Sequence, residues 1–139
     1  MMRKSVGSGR RETRKAPGRR ELGIRGEEMA AAYLRRKGFR IVEVNARCRL
    51  GEIDLVAMEG ETVVIVEVKS KGGRSHGCPE EMLTAAKQRR LTLLARTYLQ
   101  HRRWLSRPAR FDVVAIDWEG SAGERIRYYR DAFPASERW

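Results

Sequence analysis

Four charged side chains interrupt two apolar segments of the sequence between residues 51 and 69. Both segments are rich in Val and Ile, and residues 58–61, Met-Glu-Gly-Glu, separate them, so the pattern predicts a β-hairpin. The charged residues are Glu52, Asp54, Glu67 and Lys69. Strands this apolar usually lie inside a sheet, where an ionised group needs a partner or a metal ion. These four residues are therefore the first candidates for chemistry.

The register of the hairpin decides whether the charges meet. A two-residue turn at Glu59-Gly60 places Asp54 opposite Ile65, so Asp54 and Glu67 become diagonal neighbours, roughly 7–8 Å apart at the backbone. Since side chains alternate along a strand, the charged residues then share one face, while the other face is wholly apolar. That apolar face consists of Ile53, Leu55, Ala57, Val64, Val66 and Val68. A four-residue loop keeps this parity, whereas a three-residue loop sends Asp54 to the opposite face.

Two interpretations of the charges compete. Glu67 and Lys69 could form an ordinary salt bridge on a partly exposed strand, which is the common meaning of a Glu-X-Lys sequence. An Asp at the matching level of the neighbouring strand is a rarer coincidence, and its carboxylate could share one small cation with Glu67. Mg²⁺ and Mn²⁺ bind carboxylate oxygens together with water and substrate phosphate. The sequence therefore favours a Mg²⁺ or Mn²⁺ site of the kind that hydrolyses phosphate esters.

The composition points to a polyanionic partner. The chain has 139 residues, enough for a single domain, and its 30 Lys and Arg against 18 Asp and Glu give a net charge of +12. We expect nucleic acid, with DNA first, ahead of an anionic membrane surface. No apolar run is long enough to span a membrane and no signal-peptide core is present, so we expect a cytoplasmic protein in which Cys48 and Cys78 are free thiols.

The excess charge is concentrated at the N-terminus. Residues 1–25 hold nine Lys and Arg and two Glu, a net charge of +7 (9 − 2), with almost nothing apolar. Such a segment cannot bury enough surface to become ordered. We therefore expect a basic flexible arm over 1–25 and one folded domain over 26–139. Whether the arm is only a solvated tail or also binds a nucleic-acid backbone stays open.

Hydrophobic periodicity and capping signals predict a mixed α/β fold. The predicted elements are a helix over 26–37, a strand over 39–44, the two hairpin strands, a helix from 79 to about 101, and strands over 110–118 and about 125–130. This α-β-β-β-α-β-β order implies a mixed central sheet of about five strands flanked by helices. Basic or polar residues beside the hairpin could contact phosphates, although a plain loop or a solvated helix face would look the same. They are Arg47, Lys71, Arg74, Lys87 and Gln88.

Several short motifs together resemble a known family. They are Gly-Glu at 26–27, Tyr-Leu at 33–34, Lys-Gly-Phe at 37–39, Asn-X-Arg at 45–47, Gly-Glu-Ile-Asp-Leu at 51–55, Val-Glu-Val-Lys at 66–69, Lys-Gln-Arg-Arg at 87–90 and Arg-Phe-Asp at 110–112. With these motifs the chain resembles the PD-(D/E)XK nuclease superfamily and, within it, the YraN-like bacterial family. The resemblance covers residues 26 to about 113 and implies a restriction-endonuclease-like core. Two loop positions depart from the family pattern: Ser70-Lys71 replaces Thr-Arg, and His76 replaces an aromatic residue.

The resemblance also implies roles for individual residues. Asp54, Glu67 and the Val68 carbonyl would hold Mg²⁺ or Mn²⁺, and Lys69 would orient the attacking water. Glu27 occupies the place of a helix carboxylate that faces the metal, which makes it an additional catalytic and metal-binding candidate. Glu52 belongs to the motif but receives no role.

Three functions follow from these observations. The first is a metal-dependent endonuclease acting on DNA, with branched or structured DNA suggested by similarity to archaeal Holliday-junction resolvases. The second is a nucleic-acid-binding accessory protein that keeps the nuclease fold without catalysis. The third is a factor whose basic arm engages RNA. The sequence leaves open whether the chain forms a homodimer.

Overall fold

The computed structural model describes residues 18–71, 83–118 and 125–135. The described elements are α1 (Arg19–Arg36), β1 (Arg40–Cys48), β2 (Gly51–Glu59), β3 (Thr62–Lys71), α2 (Ala85–His101), β4 (Ala109–Asp117) and β5 (Arg125–Phe133). They form a five-stranded sheet in the order β1-β2-β3-β4-β5. β3 and β4 are parallel, and the other neighbours are antiparallel. The predicted mixed α/β, restriction-endonuclease-like fold is thereby confirmed.

Each helix covers one face of the sheet, because alternate strand residues are apolar on both sides. On the first face, α1 packs on the middle strands through Ala30, Ala31, Leu34, Leu55, Ala57, Val64, Val66 and Val114. On the second face, α2 packs through Leu91, Leu94, Ala95, Leu99, Val56, Val63, Ile65 and Val113. The hairpin strands are therefore buried from both sides, which explains their nearly continuous apolar sequence. Within the part of the chain that the structure describes, no helix is long and apolar enough to cross a membrane.

The first helix begins earlier than the sequence predicts. It starts at Arg19, so residues 19–25, which we assigned to the flexible arm, are helical. Glu21 in the first turn accepts a hydrogen bond of 3.2 Å from the backbone N–H of the capping residue. The Arg25 guanidinium also lies 5.3 Å from the centre of the Trp118 ring, a contact between segments far apart in sequence. Residues 1–17 of the predicted arm lie outside the described residues.

The hairpin forms as predicted, but its turn lies one residue further along. Glu59 pairs with Thr62, so the two turn residues are Gly60 and Glu61, and Gly60 has the φ of +61° that such a turn requires. Every partner of a β2 residue therefore shifts by two positions, which preserves the parity of the faces. One residue breaks the predicted pattern, since Ile53 packs in the α2-side cluster and not with Leu55.

Two further boundaries also differ from the sequence prediction. The predicted basic loop over 45–51 is largely strand, because β1 continues to Cys48 and pairs there with Gly51. The second helix begins at Ala85 and not at Pro79. Thr84 has an extended backbone, and its side chain accepts the N–H of Lys87 at 3.2 Å, which caps the helix at this point. Residues 79–82 lie outside the described residues.

A fully buried carboxylate joins β4 to β5. Asp112 accepts two hydrogen bonds from Arg110, of 2.9 and 3.1 Å, and a third from the Tyr128 hydroxyl. It also accepts the Asp131 N–H at 2.8 Å, where the ladder between the strands shifts its register and Asp131 has a φ of +53°. The carboxylate therefore satisfies a backbone donor that the bulged ladder leaves unpaired.

We expect Asp112→Asn to lower the free energy of unfolding by about 3 kcal/mol, because it removes the fully buried charge that pairs with Arg110 and leaves that guanidinium only its ion pair with Glu59 at the protein surface. Urea denaturation followed by circular dichroism measures this loss. The matched control is Glu61→Gln, which removes an ion pair between Arg107 and the almost fully exposed Glu61 and should change stability by no more than about 0.5 kcal/mol. Equal stability of the two variants would contradict the structural role assigned to Asp112.

Candidate functional site

The central strands stop pairing beside the charged residues. The β2–β3 ladder runs from the turn to the pair Leu55 and Val66 and ends there. β2 remains paired with β1 as far as Gly51, and β3 remains paired with β4 as far as Lys71. We call the segments 52–54 and 67–69 beyond the last pair the ladder end. Here a side chain replaces a backbone partner, since the Asp54 carboxylate accepts the Val68 N–H at 2.8 Å.

Three carboxyl groups meet at the ladder end. Those of Glu67 on β3 and Glu27 on α1 each lie within hydrogen-bonding reach of Asp54 on β2. Asp54 is therefore the centre of the cluster. The structure brings three of the four acidic residues that the sequence singled out into one place, from three separate elements, while Glu52 pairs with Arg47 beside them.

Burial and mutual repulsion disfavour the charged forms of these groups. Burial raises the pKa of Glu67 to about 7, and the neighbouring charge of Asp54 adds to the shift, while Lys69 offsets part of it. The pKa of Glu27 is also raised to about 7, first by burial and then by Asp54 and Glu52. Burial raises the pKa of Asp54 as well, against the opposing effect of the Val68 N–H.

The cluster carries more negative than positive charge. The Lys69 ammonium lies 3.6 Å from Glu67, and with all three carboxylates ionised the four groups have a net charge of −2 (1 − 3). Among the described residues, no set of three or more His, Cys, Asp or Glu side chains is arranged to hold a metal ion by itself. Asp54 and Glu67 nevertheless supply the one or two carboxylates with which proteins usually bind Mg²⁺, the remaining positions being taken by water and phosphate. The donor set thus fits a divalent cation.

The other predicted contact residues lie on different elements and have different surroundings. Arg47 is exposed on β1 and forms an ion pair of 3.2 Å with Glu52, close to Asp54. Lys87 is exposed in the first turn of α2. Gln88 donates its side-chain amide to the Leu83 carbonyl at 3.0 Å, so it stabilises the start of that helix. Lys71 is the last residue of β3, and Arg74 lies outside the described residues.

Sequence reasoning missed the contact that brings α1 close to the strands. A Cβ atom placed on Gly26 would lie 3.1 Å from the Ser70 Cβ and 3.2 Å from its hydroxyl, so only glycine fits without a shift. The Trp118 indole N–H donates to that same hydroxyl and limits its movement. This close approach positions Glu27, the next residue, at the ladder end. Gly26 alone was a weak signal, because the sequence placed it at the start of the helix.

The mixed five-stranded sheet with one helix on each face defines a restriction-endonuclease-like α/β protein in the described residues. Residues 26–116 match the family described as "Uncharacterised protein family UPF0102". The chain belongs to this family, also called the YraN family, which confirms the resemblance found in its motifs.

Similar proteins occur in diverse bacteria. A UPF0102 protein of Syntrophus aciditrophicus is 48% identical over 108 residues, which cover 78% of this chain and 84% of the relative. One of Symbiobacterium thermophilum is 46% identical over 116 residues, covering 84% and 98% of the two chains. One of Geobacter sulfurreducens is 44% identical over 112 residues, covering 81% and 88%. The similarity therefore extends over most of each chain.

We expect Gly26→Ala to destabilise the protein by about 1 kcal/mol, because the added methyl group overpacks the contact with Ser70. The matched control is Gly23→Ala in the same helix, where a Cβ meets nothing within 4 Å. It should stabilise the protein by about 0.5–1 kcal/mol through helix propensity. In a Ser70→Gly background, Gly26→Ala should become stabilising too. Chemical denaturation of this double-mutant cycle tests the contact, and an unchanged effect in that background would contradict it.

The raised pKa values of Glu67 and Glu27 predict how stability depends on pH without metal. Between their ordinary value of 4.5 and about 7, the folded protein binds more protons than the unfolded chain. In EDTA we therefore expect thermal stability to fall as pH rises from about 5 to about 8. Glu67→Gln should flatten this dependence and raise the melting temperature at about pH 8 by about 3 °C or more. Its control, Glu28→Gln on the exposed side of α1, should follow the wild type. A Glu67→Gln protein less stable than wild type at that pH would contradict the repulsion.

Proposed function

We propose that this protein is a Mg²⁺- or Mn²⁺-dependent endonuclease that hydrolyses phosphodiester bonds in DNA, with branched or structured DNA as the favoured substrate. One observation carries the proposal: Glu27, Asp54, Glu67 and Lys69 converge where β2 and β3 stop pairing. Structural carboxylates normally have basic partners that neutralise them. Here an excess of partly buried acid persists, and that arrangement is typical of functional sites.

The residues at the ladder end can divide the chemistry between them. Asp54, Glu67 and the Val68 carbonyl would bind the divalent cation. When bound, that cation would stabilise negative charge on the phosphate and lower the pKa of a water molecule. Lys69, held beside Glu67 at 3.6 Å, would orient the water and offset charge on the phosphate oxygens.

Glu27 would be the third carboxylate of this scheme, beside Asp54 but on a different element. Its exposure is intermediate, so water can reach it, and it would hold a metal-bound water molecule or exchange a proton with it. Without metal the pKa of Glu27 is raised to about 7. A cation bound at Asp54 and Glu67 would lower that pKa, because a positive charge nearby favours the ionised form.

The alternative is a nucleic-acid-binding accessory protein that keeps the fold without catalysis. The net charge of +12 favours it, because charge alone is sufficient for binding to a polyanion. Such a protein would bind nucleic acid with equal affinity in EDTA and after Asp54→Ala, and it would cut none.

We expect purified protein to cleave DNA in the presence of Mn²⁺, and Asp54→Ala to reduce the rate by at least about 100-fold, because it removes the central carboxylate. Gel analysis of labelled duplexes, forks and four-way junctions measures the cleavage. The matched control is Glu28→Ala, which removes an exposed carboxylate next to Glu27 and should retain nearly full activity.

Two results would contradict the nuclease proposal. One is the absence of cleavage by wild-type protein across duplex, branched and single-stranded DNA with either metal. The other is cleavage that persists in the Asp54→Ala protein, which would indicate a contaminating nuclease. Added EDTA should stop genuine cleavage at once.

A further inference from the structure

An open groove of about 800 Å³ lies on the second face of the sheet, between β1 and the C-terminal half of α2. Its charged and aromatic lining consists of Glu43, Arg47, Arg49, Tyr98, His101 and Arg102. Three arginines and Glu43 line the groove, and Glu52, the ion-pair partner of Arg47, lies beside it, so these groups have a net charge of +1 (3 − 2) before His101 is counted. A groove of this size and polarity suits a charged ligand better than an apolar one.

One of the arginines is held in a fixed orientation. The Arg102 guanidinium lies 5.3 Å from the Tyr98 ring centre and 4.9 Å from that of Trp104. Glu43 contacts the same guanidinium at 3.3 Å and also accepts the Tyr98 hydroxyl at 2.9 Å. An arginine held over two adjacent aromatic rings loses little freedom when it binds a ligand, and its planar group matches a phosphate.

Arg47 links one end of the groove to the strand that carries Asp54. Arg47 borders the groove, but both its neighbours on β1 pack on the α2 side, so its side chain points to the other side of the strand. There it pairs with Glu52 at 3.2 Å, and Glu52 lies two residues from Asp54. Arg49 is exposed in the turn between β1 and β2 and forms no ion pair within the described residues. A strand of nucleic acid positioned at the ladder end would therefore meet Arg49 and Arg47 before it reached Arg102.

We propose that this groove binds the phosphate backbone of the nucleic acid on one side of the cleavage point. The inference rests on the proposed function, which it deepens by naming the path of the substrate. Phosphate oxygens would be contacted by Arg47, Arg49 and Arg102, and such contacts fix the position of a substrate without reading its sequence. Binding of nucleic acid would then show little sequence specificity and a strong dependence on salt concentration.

The test compares two charge reversals on opposite faces of the sheet. Arg49→Glu changes the groove, while Arg36→Glu makes the same change of charge at the exposed end of α1. Binding of fluorescein-labelled DNA, as single strand and as duplex, is measured by anisotropy in EDTA over a series of KCl concentrations. Arg49→Glu should weaken binding by about tenfold or more, and Arg36→Glu by less than about threefold. In the groove variant alone, the slope of log affinity against log salt should fall by about 0.7–0.9 for each phosphate that the protein no longer neutralises.

Restoring the charge provides the second comparison. Arg49→Lys should bind within about threefold of wild type, because a lysine still contacts phosphate as a point charge. Two results would overturn the proposal. One is equal weakening of binding by Arg49→Glu and Arg36→Glu, and the other is a wild-type protein that binds neither single-stranded nor duplex DNA. Since binding is measured in EDTA, loss of cleavage by Asp54→Ala with unchanged binding would leave the groove supported. If the wild-type protein cleaves no DNA while Arg49→Glu still binds DNA more weakly than Arg36→Glu, the nuclease proposal is rejected and the groove proposal is not.

Discussion

The structure depends on a sheet that stops pairing at one point in its middle. β2 and β3 are joined from their turn to Leu55 and Val66, and beyond that pair each strand keeps only its outer neighbour. The Asp54 carboxylate then accepts the Val68 N–H that a paired strand would have bound. Backbone donors inside a protein must be satisfied, so this acceptor allows the strands to separate without an orphaned group. Where the two strands separate, acidic side chains of β2 and β3 can lie close together beside α1.

The rest of the fold compensates for the repulsion between the carboxylates at the ladder end. Buried carboxylates at hydrogen-bonding distance lower stability when they ionise, and the apolar clusters on both faces offset that loss. Gly26 lets α1 approach β3 closely enough for Glu27 to reach Asp54. The Asp112 network, between the last two strands of the sheet, fixes β5 to β4 through buried hydrogen bonds. The apolar clusters and the Asp112 network therefore stabilise a fold in which the carboxylates at the ladder end repel one another. Such local destabilisation is common at functional sites.

Much of the site could be predicted from the sequence because strand geometry tolerates a small error. The turn lies one residue beyond the predicted position, and the resulting shift by two keeps the parity of side chains along the paired part of the hairpin. Beyond it Ile53 departs from that parity, yet Asp54 still lies close to Glu67. Contacts between distant segments could not be predicted in this way. Residues 19–25 of the basic arm are helical and Arg25 contacts Trp118, although the composition of the arm resembles that of a disordered chain. The groove likewise forms only when β1 and α2 pack together, so no local motif indicates it.

Metal binding at the ladder end is the central claim, and diffraction from crystals soaked in Mn²⁺ tests it most directly. Anomalous density between Asp54 and Glu67, within bonding distance of the Val68 carbonyl, is the result we expect. The density should disappear in an Asp54→Asn crystal treated in the same way. A cluster that stays free of Mn²⁺ at high concentration and at a pH above about 7, which favours the ionised forms of Glu27 and Glu67, would contradict the claim.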